Sequence, residues 1–255
     1  MDKRTYEAAA EEGHLAILQW VWEQGVELDE SAAIGAANGG HIQCLEWALK
    51  CGPPSISYHR SLVAAASSGH LDCLKVLREH GCLWNSRVSA AAAGGGHLDC
   101  LKYLHELGCP WDDNVCARAA GNGHLNCLKY AHEQGSPWNE KTFATAAGGG
   151  DNMDCLKYMH EMGCPWDEFT CRVAAMRGHL GCLQYAWEQR CPWDDGMSGS
   201  LVYFQNWDCL LYAVEQSWPI LESTRSLLRE DLENRFVVMD EVTRTRLQRW
   251  LEQWD

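Results

Sequence analysis

Residues 110–135 read PWDDNVCARAAGNGHLNCLKYAHEQG, and residues 137–163 read PWNEKTFATAAGGGDNMDCLKYMHEMG. Both stretches open on Pro-Trp and an acid or amide, pass an Ala-Ala pair and a glycine turn, and close on a Cys-Leu-Lys-Tyr run and Gly. The pattern extends outward along most of the chain. Gly-His-Leu or a close variant recurs at Gly13, Gly40, Gly69, Gly96, Gly123 and Gly178, with an altered copy at Gly150 followed by Asp151-Asn152-Met153. The spacings are 27, 29, 27, 27, 27 and 28 residues. A fixed period of this size marks a stacked repeat. A degenerate eighth unit has Gln205-Asn206-Trp207 in the turn, while Cys209, Leu210 and Tyr212 keep the register.

Each unit reads as two short helices. Asp2, Asp29, Asn85, Asp112, Asn139, Asp167 and Asp194 hold equivalent places ahead of the first helix. Such side chains accept hydrogen bonds from the unpaired amides of a first turn. Alanine pairs, from Ala9-Ala10 to Ala174-Ala175, favour helix and let a neighbouring helix approach. The Gly before His ends that helix in the left-handed conformation. In the second helix Leu98, Leu101, Tyr103, Leu104 and Leu107 form an apolar stripe, with Lys102 and Glu106 on the wet side. Gly108, Gly135 and Gly163 stop it. A nine-residue helix is marginal alone, so a unit buries its stripe only against the units before and after it. The expected fold is all-α, a helical-hairpin solenoid of about seven to eight short repeats over residues 1–217. A helical cap is expected over residues 218–255.

At Ala-Ala-x-x-Gly-His-Leu, followed by an apolar second helix and Gly, the sequence resembles the ankyrin-repeat family over residues 5–217. The period is about 27 residues instead of the usual 33 or so, and the Thr-Pro-Leu-His opening is absent. Asn114-Val115-Cys116-Ala117 and Phe169-Thr170-Cys171-Arg172 stand near its place. The chain is similar to the shortened ankyrin-type repeats of protists, algae, oomycetes and giant viruses. The resemblance implies a protein-interaction scaffold without catalytic activity or cofactor.

Composition bounds the partners. The 255 residues carry a formal net charge of −14, which disfavours phosphate backbones and hence nucleic acid. No apolar stretch reaches the ~18 residues of a membrane span, and the first residues lack the apolar core of a signal peptide. An intracellular, reducing compartment, cytoplasmic or nuclear, follows as the default, with the fourteen cysteines as thiols.

Seven cysteines share one second-helix position: Cys44, Cys73, Cys100, Cys127, Cys155, Cys182 and Cys209. Ile17 fills it in the first unit, which indicates a small buried hydrophobe. Zinc is the functional alternative, although no Cys-x-x-Cys pair is present. The recurring His14, His41, His70, His97, His124 and His179 fit a turn residue whose ring bonds the backbone of its own or the next unit. A nucleophilic Cys/His pair would be singular, and these recur in register. Trp84, Trp111, Trp138, Trp166 and Trp193 form a linker column, expected to staple the edge of the stack with each N–H on a carbonyl. An exposed ladder could instead stack bases, but Asp112, Asp113, Asp167, Glu168, Asp194 and Asp195 flank it. The runs Gly94-Gly95-Gly96 and Gly148-Gly149-Gly150 lack the Lys-Ser or Lys-Thr of a phosphate loop and are expected to widen the groove between first helices.

The resemblance implies that the first helices line the partner-binding groove. Sequence varies most between the Ala pair and Gly-His: Glu11-Glu12, Asn38-Gly39, Ser67-Ser68, Gly94-Gly95, Asn122 and Met176-Arg177. Nearby Asn114, Arg118, Lys141, Thr145, Glu168 and Arg172 complete the candidate set. The alternative is a structural subunit of a larger assembly, contacting neighbours through solenoid ends and outer helices. In the tail, Leu227, Leu228, Leu232, Phe236 and Val237 suggest one amphipathic helix, and Leu247, Trp250 and Leu251 another. They serve as a cap or as a docking helix. The first unit, starting at once, is covered either by a neighbour or by its own Lys3, Arg4, Glu7, Glu11 and Glu12.

Overall fold

A computed structural model describes residues 3–53, 57–150, 152–192, 194, 196–233 and 238–254. Asp2, Asp151, Trp193, Asp195, Phe236 and Val237, named above, lie outside the described residues. Among the described residues the chain is helical throughout, with eighteen helices and no strand. It divides into two units, Met1–Trp138 and Asn139–Asp255.

The first unit holds five hairpins: α1 Lys3–Glu11 with α2 Leu15–Glu23, α3 Glu30–Gly39 with α4 Ile42–Cys51, α5 His59–Ser68 with α6 Leu71–Glu79, α7 Ser86–Gly94 with α8 Leu98–Glu106, and α9 Asp113–Gly121 with α10 Leu125–Glu133. First helix packs on first helix and second on second along the unit. The second unit holds α11 Glu140–Gly148 with α12 Met153–Glu161, α13 Glu168–Arg177 with α14 Leu180–Glu188, and α15 Met197–Tyr203 with α16 Trp207–Glu215. It ends in α17 Glu222–Glu233 and α18 Glu241–Leu251, which pack on α15 and α16 respectively. Leu228, Leu232, Leu247 and Leu251 are buried there, while Leu227, expected on the same face, is 47% exposed.

The caps form largely as the sequence dictates. Asp29, Asn85, Asp112, Asn139 and Asp167 each accept a first-turn amide, and Asn139 and Thr142 close a reciprocal capping box. Two ends differ. No side chain of its own caps α5, where Tyr58 precedes the helix. Glu30 of the preceding repeat reaches across instead, its Oε1 accepting the amides of Arg60 (2.9 Å) and Ser61 (3.4 Å). Asp194 does not cap α15; its carboxylate pairs with Arg172 at 3.1 Å, because that guanidinium lies close by on the neighbouring helix pair.

The turn glycines are left-handed, with φ of 74° to 78° at Gly13, Gly40, Gly69, Gly96, Gly123 and Gly178. The histidine of the next repeat covers each of the first four. His70 Nε2 lies 2.9 Å from the Asn38 carbonyl oxygen, His97 Nε2 3.0 Å from that of Ser67, and His179 Nε2 3.3 Å from that of Gly148. The bond therefore runs to the preceding unit, not to its own or the next. Asn206 reproduces it in the degenerate repeat, donating to the Ala175 and Met176 oxygens at 2.6 and 3.0 Å.

The tri-glycine runs bring helices together instead of parting them. A Cβ on Gly95 would collide with the Ser67 carbonyl oxygen, and one on Gly148 would lie 2.5 Å from Val173 Cγ1.

The linker tryptophans are staples of a specific make. Trp111, Trp138 and Trp166 stack on His105, His132 and His160 at centroid distances of 4.2, 3.7 and 4.4 Å. At Trp84 the equivalent partner is the Arg78 guanidinium, 4.4 Å above the ring. A tyrosine of the following helix pair adds an edge-on contact: Tyr103 to Trp84 and Tyr130 to Trp111. His105 Nδ1 and His160 Nδ1 lie 3.1 and 2.9 Å from the hydroxyls of Tyr130 and Tyr185. The expected indole-to-carbonyl bond is not made at Trp111, whose Nε1 is buried without a hydrogen-bond partner among the described residues.

Candidate partner-binding surface

Helical period sorts the first-helix side chains. Residues four apart share a face, so Asn114, Arg118 and Asn122 form one exposed stripe along α9. Asn122 also ties its repeat to the one before, its Nδ2 donating to the Gly94 oxygen at 2.6 Å. Asn38 does likewise with Glu11 (2.6 Å), and Ser68 with Asn38 (2.8 Å). The variable positions thus serve repeat-to-repeat bonding as well as display.

In the second unit Lys141 and Thr145 are exposed on α11, and the Thr145 hydroxyl donates to the Lys141 oxygen at 2.8 Å. On α13 the candidate residues do not share one stripe. Counting from the capping residues Asp112, Asn139 and Asp167, the positions matching Asn114 and Lys141 lead to Phe169, Val173 and Arg177. Arg177 is exposed and Phe169 is 42% exposed. Glu168, Arg172 and Met176 lie one position round, where α11 has Glu140, Ala144 and Gly148. Arg172 and Met176 are half-buried, and Arg172 sits 5.2 Å from the Phe169 ring while held by Asp194. Phe169 was missed in the sequence; an aromatic residue in an exposed first turn was the available signal.

A second unrecognised feature lies in the first unit. Arg60, Arg87 and Arg118 are exposed on the adjacent first helices α5, α7 and α9. The only acid within those three helices is Asp113. None of the three guanidiniums belongs to an ion pair among the described residues. In a chain of net charge −14 this is a local concentration of positive charge.

Twelve of the fourteen cysteines are buried, and Cys51 and Cys82 are half-buried. Cys44, Cys73, Cys100, Cys127, Cys155 and Cys209 are each 1% exposed, and Cys182 is 2%. Burial pushes the thiols of Cys73, Cys100, Cys127 and Cys155 up to about 11. Linker cysteines meet the first helix of their own repeat, Cys109 accepting from the Ser89 hydroxyl at 3.0 Å. The adjacent Cys191 thiol and burial push Cys171 up. None of the fourteen is joined in a disulfide. No helix of the described residues is long and apolar enough to cross a membrane.

Comparison with known proteins agrees with this geometry. Residues 6–88 match the family model for ankyrin repeats in three copies. No curated protein matches the chain. Among solved structures, the crystal structure of the human ASB11 ankyrin repeat domain is similar, with a TM-score of 0.50 and 21% identity, over 63% of this chain and 84% of that one. The fold is that of an ankyrin-type repeat protein, and residues 6–88 fall under the family's own model.

Proposed function

We propose that the protein is a non-catalytic interaction scaffold that binds a protein partner through its first-helix face, with residues 218–255 capping the last repeat. Ankyrin repeats are generally protein–protein interaction modules, and proteins built from them are typically non-catalytic. The observation that carries the reading is the Arg60, Arg87 and Arg118 array on successive first helices. Adjacent helix axes lie about 8–10 Å apart, so the three guanidiniums can span an extended acidic segment. Exposed charges of this kind set partner choice and association rate more than raw affinity. Asn114 and Asn122 add hydrogen-bonding groups beside Arg118. A reducing intracellular compartment suits cysteines that form no disulfide.

The test is affinity capture from the source cell with the native chain and with an Arg60→Glu, Arg87→Glu, Arg118→Glu variant. The native chain retains a defined partner, and the variant loses it at an unchanged melting temperature. A variant that retains the same proteins contradicts the assignment of this face.

A further inference from the structure

Arg60, Arg87 and Asn114 each lie nine residues before the turn glycine of their repeat, at Gly69, Gly96 and Gly123. They are therefore in register, each the second residue of its first helix, on α5, α7 and α9. All three are exposed. One turn further along, α5 and α7 carry Ala64 and Ala91, both half-buried, whereas α9 carries the exposed Arg118. The alanines keep the surface low beside the two arginines. Arg118 leans back over α7, where a Cβ on Gly94 would stand 3.2 Å from Arg118 Cβ and 3.8 Å from its Cδ.

The helices under this row approach closely, since a Cβ on Gly95 of the α7 end would lie 2.3 Å from the Ser67 carbonyl oxygen. Packed helices of this kind repeat every 8–10 Å or about that. The row therefore offers a cationic or amide donor at that interval, and a ligand that uses all of it repeats at the same interval. A β-strand returns a side chain to one face every second residue, at about 6.6 Å and then about 13 Å, and misses on both counts. An α-helix returns after seven residues at about 10.5 Å, an overshoot that grows with each repeat. A polyproline II segment has three residues per turn and rises about 3.1 Å per residue, so every third side chain shares a face at about 9.3 Å.

Resting on the reading of the first-helix face as the binding surface, we infer that the partner segment is a polyproline II stretch with an acidic residue at every third position. Successive carboxylates face Arg60, Arg87 and the Asn114–Arg118 pair. The guanidiniums supply charge-assisted hydrogen bonds to them. A polyproline II backbone makes no hydrogen bonds of its own, so its carbonyl oxygens accept from the Asn114 amide as well.

Fluorescence anisotropy of labelled peptides with the full chain, at an ionic strength of about 0.02 M, reads the spacing directly. The probe is Glu-Pro-Pro in three copies. Its comparators are two isomers of the same composition, with glutamate at every second or every fourth position, and an alanine-based helical peptide with glutamate at every seventh. The probe binds about fivefold tighter than each comparator, the worth of one further aligned charge pair. Arg87→Glu, an exposed change that leaves the far-UV circular dichroism as it was, removes that preference. A probe with lysine in place of its middle glutamate regains it on this variant. Equal affinity for the isomers, tighter binding of the helical peptide, or no binding by any peptide overturns the inference. If a partner is still lost from the Arg60→Glu, Arg87→Glu, Arg118→Glu variant, the binding face stands and only the spacing falls. A lysine probe that gains nothing on Arg87→Glu overturns the register.

Discussion

The His97 ring covers Gly69, the left-handed glycine of the preceding repeat, while its Nε2 lies 3.0 Å from the Ser67 carbonyl oxygen. One imidazole therefore fills the space that a missing Cβ leaves and satisfies a helix-end carbonyl. It links two repeats that share no covalent contact there. Gly81, also left-handed at φ 86°, has nothing within 4 Å of where a Cβ would stand.

The two glycines separate backbone strain from packing. Gly81→Ala costs about 1 kcal/mol, the ordinary penalty for a side chain in the left-handed region. Gly69→Ala costs that plus about 1–2 kcal/mol for the displaced ring. Urea unfolding of both variants gives the difference, and equal losses would mean that the ring contact contributes nothing.

The cap on α5 comes from another repeat, and its removal is testable. Glu30→Ala lowers stability by about 1 kcal/mol, the usual worth of a capping side chain. Amide exchange accelerates at Arg60 and Ser61, because their N–H groups lose the Glu30 carboxylate. Glu30→Gln, which keeps an acceptor oxygen, retains most of the protection. Unchanged exchange at those two amides in Glu30→Ala would show that the bond has no weight.

These examples mark where the sequence is legible. The hairpin itself is written locally: Asp112 or Asn139 starts a helix, Gly96 ends it, and Leu98, Leu101 and Leu104 set the face of the next. What lies between repeats is not local. The reach of Glu30 to α5, the backward direction of the His97 bond and the stacking of His105 on Trp111 all join residues whose spacing gives no sign of contact. The tri-glycine runs misled for the same reason, since a lack of side chains suits a wide groove and a close approach equally. On the candidate surface, the stripe of α9 was readable from four-residue spacing. The α13 set mixes two stripes, Glu168, Arg172 and Met176 lying one position round from Arg177, and Arg172 is held by Asp194.

The buried thiols predict a pH dependence. An unfolded cysteine ionises near 9, whereas Cys73, Cys100, Cys127 and Cys155 keep their protons up to about 11. Between those values the native state binds more protons than the unfolded one. Stability contributed by these groups is therefore intact below about pH 8 and falls as pH rises from about 9 through about 11. Urea midpoints across this range, with reductant present, show the decline, and Cys100→Ala reduces it by one thiol's share. A midpoint that is flat to pH 11 would contradict the burial argument.

The central claim is that neighbouring hairpins within a unit share an interior and hold each other in place. Amide exchange by mass spectrometry in Leu101→Ala tests it most directly. Leu101 is fully buried in α8, and its loss costs about 2–5 kcal/mol. The account predicts faster exchange in α8 and also in α6 and α10, the second helices packed on either side of it. Faster exchange confined to α8, with α6 and α10 at native protection, would contradict it.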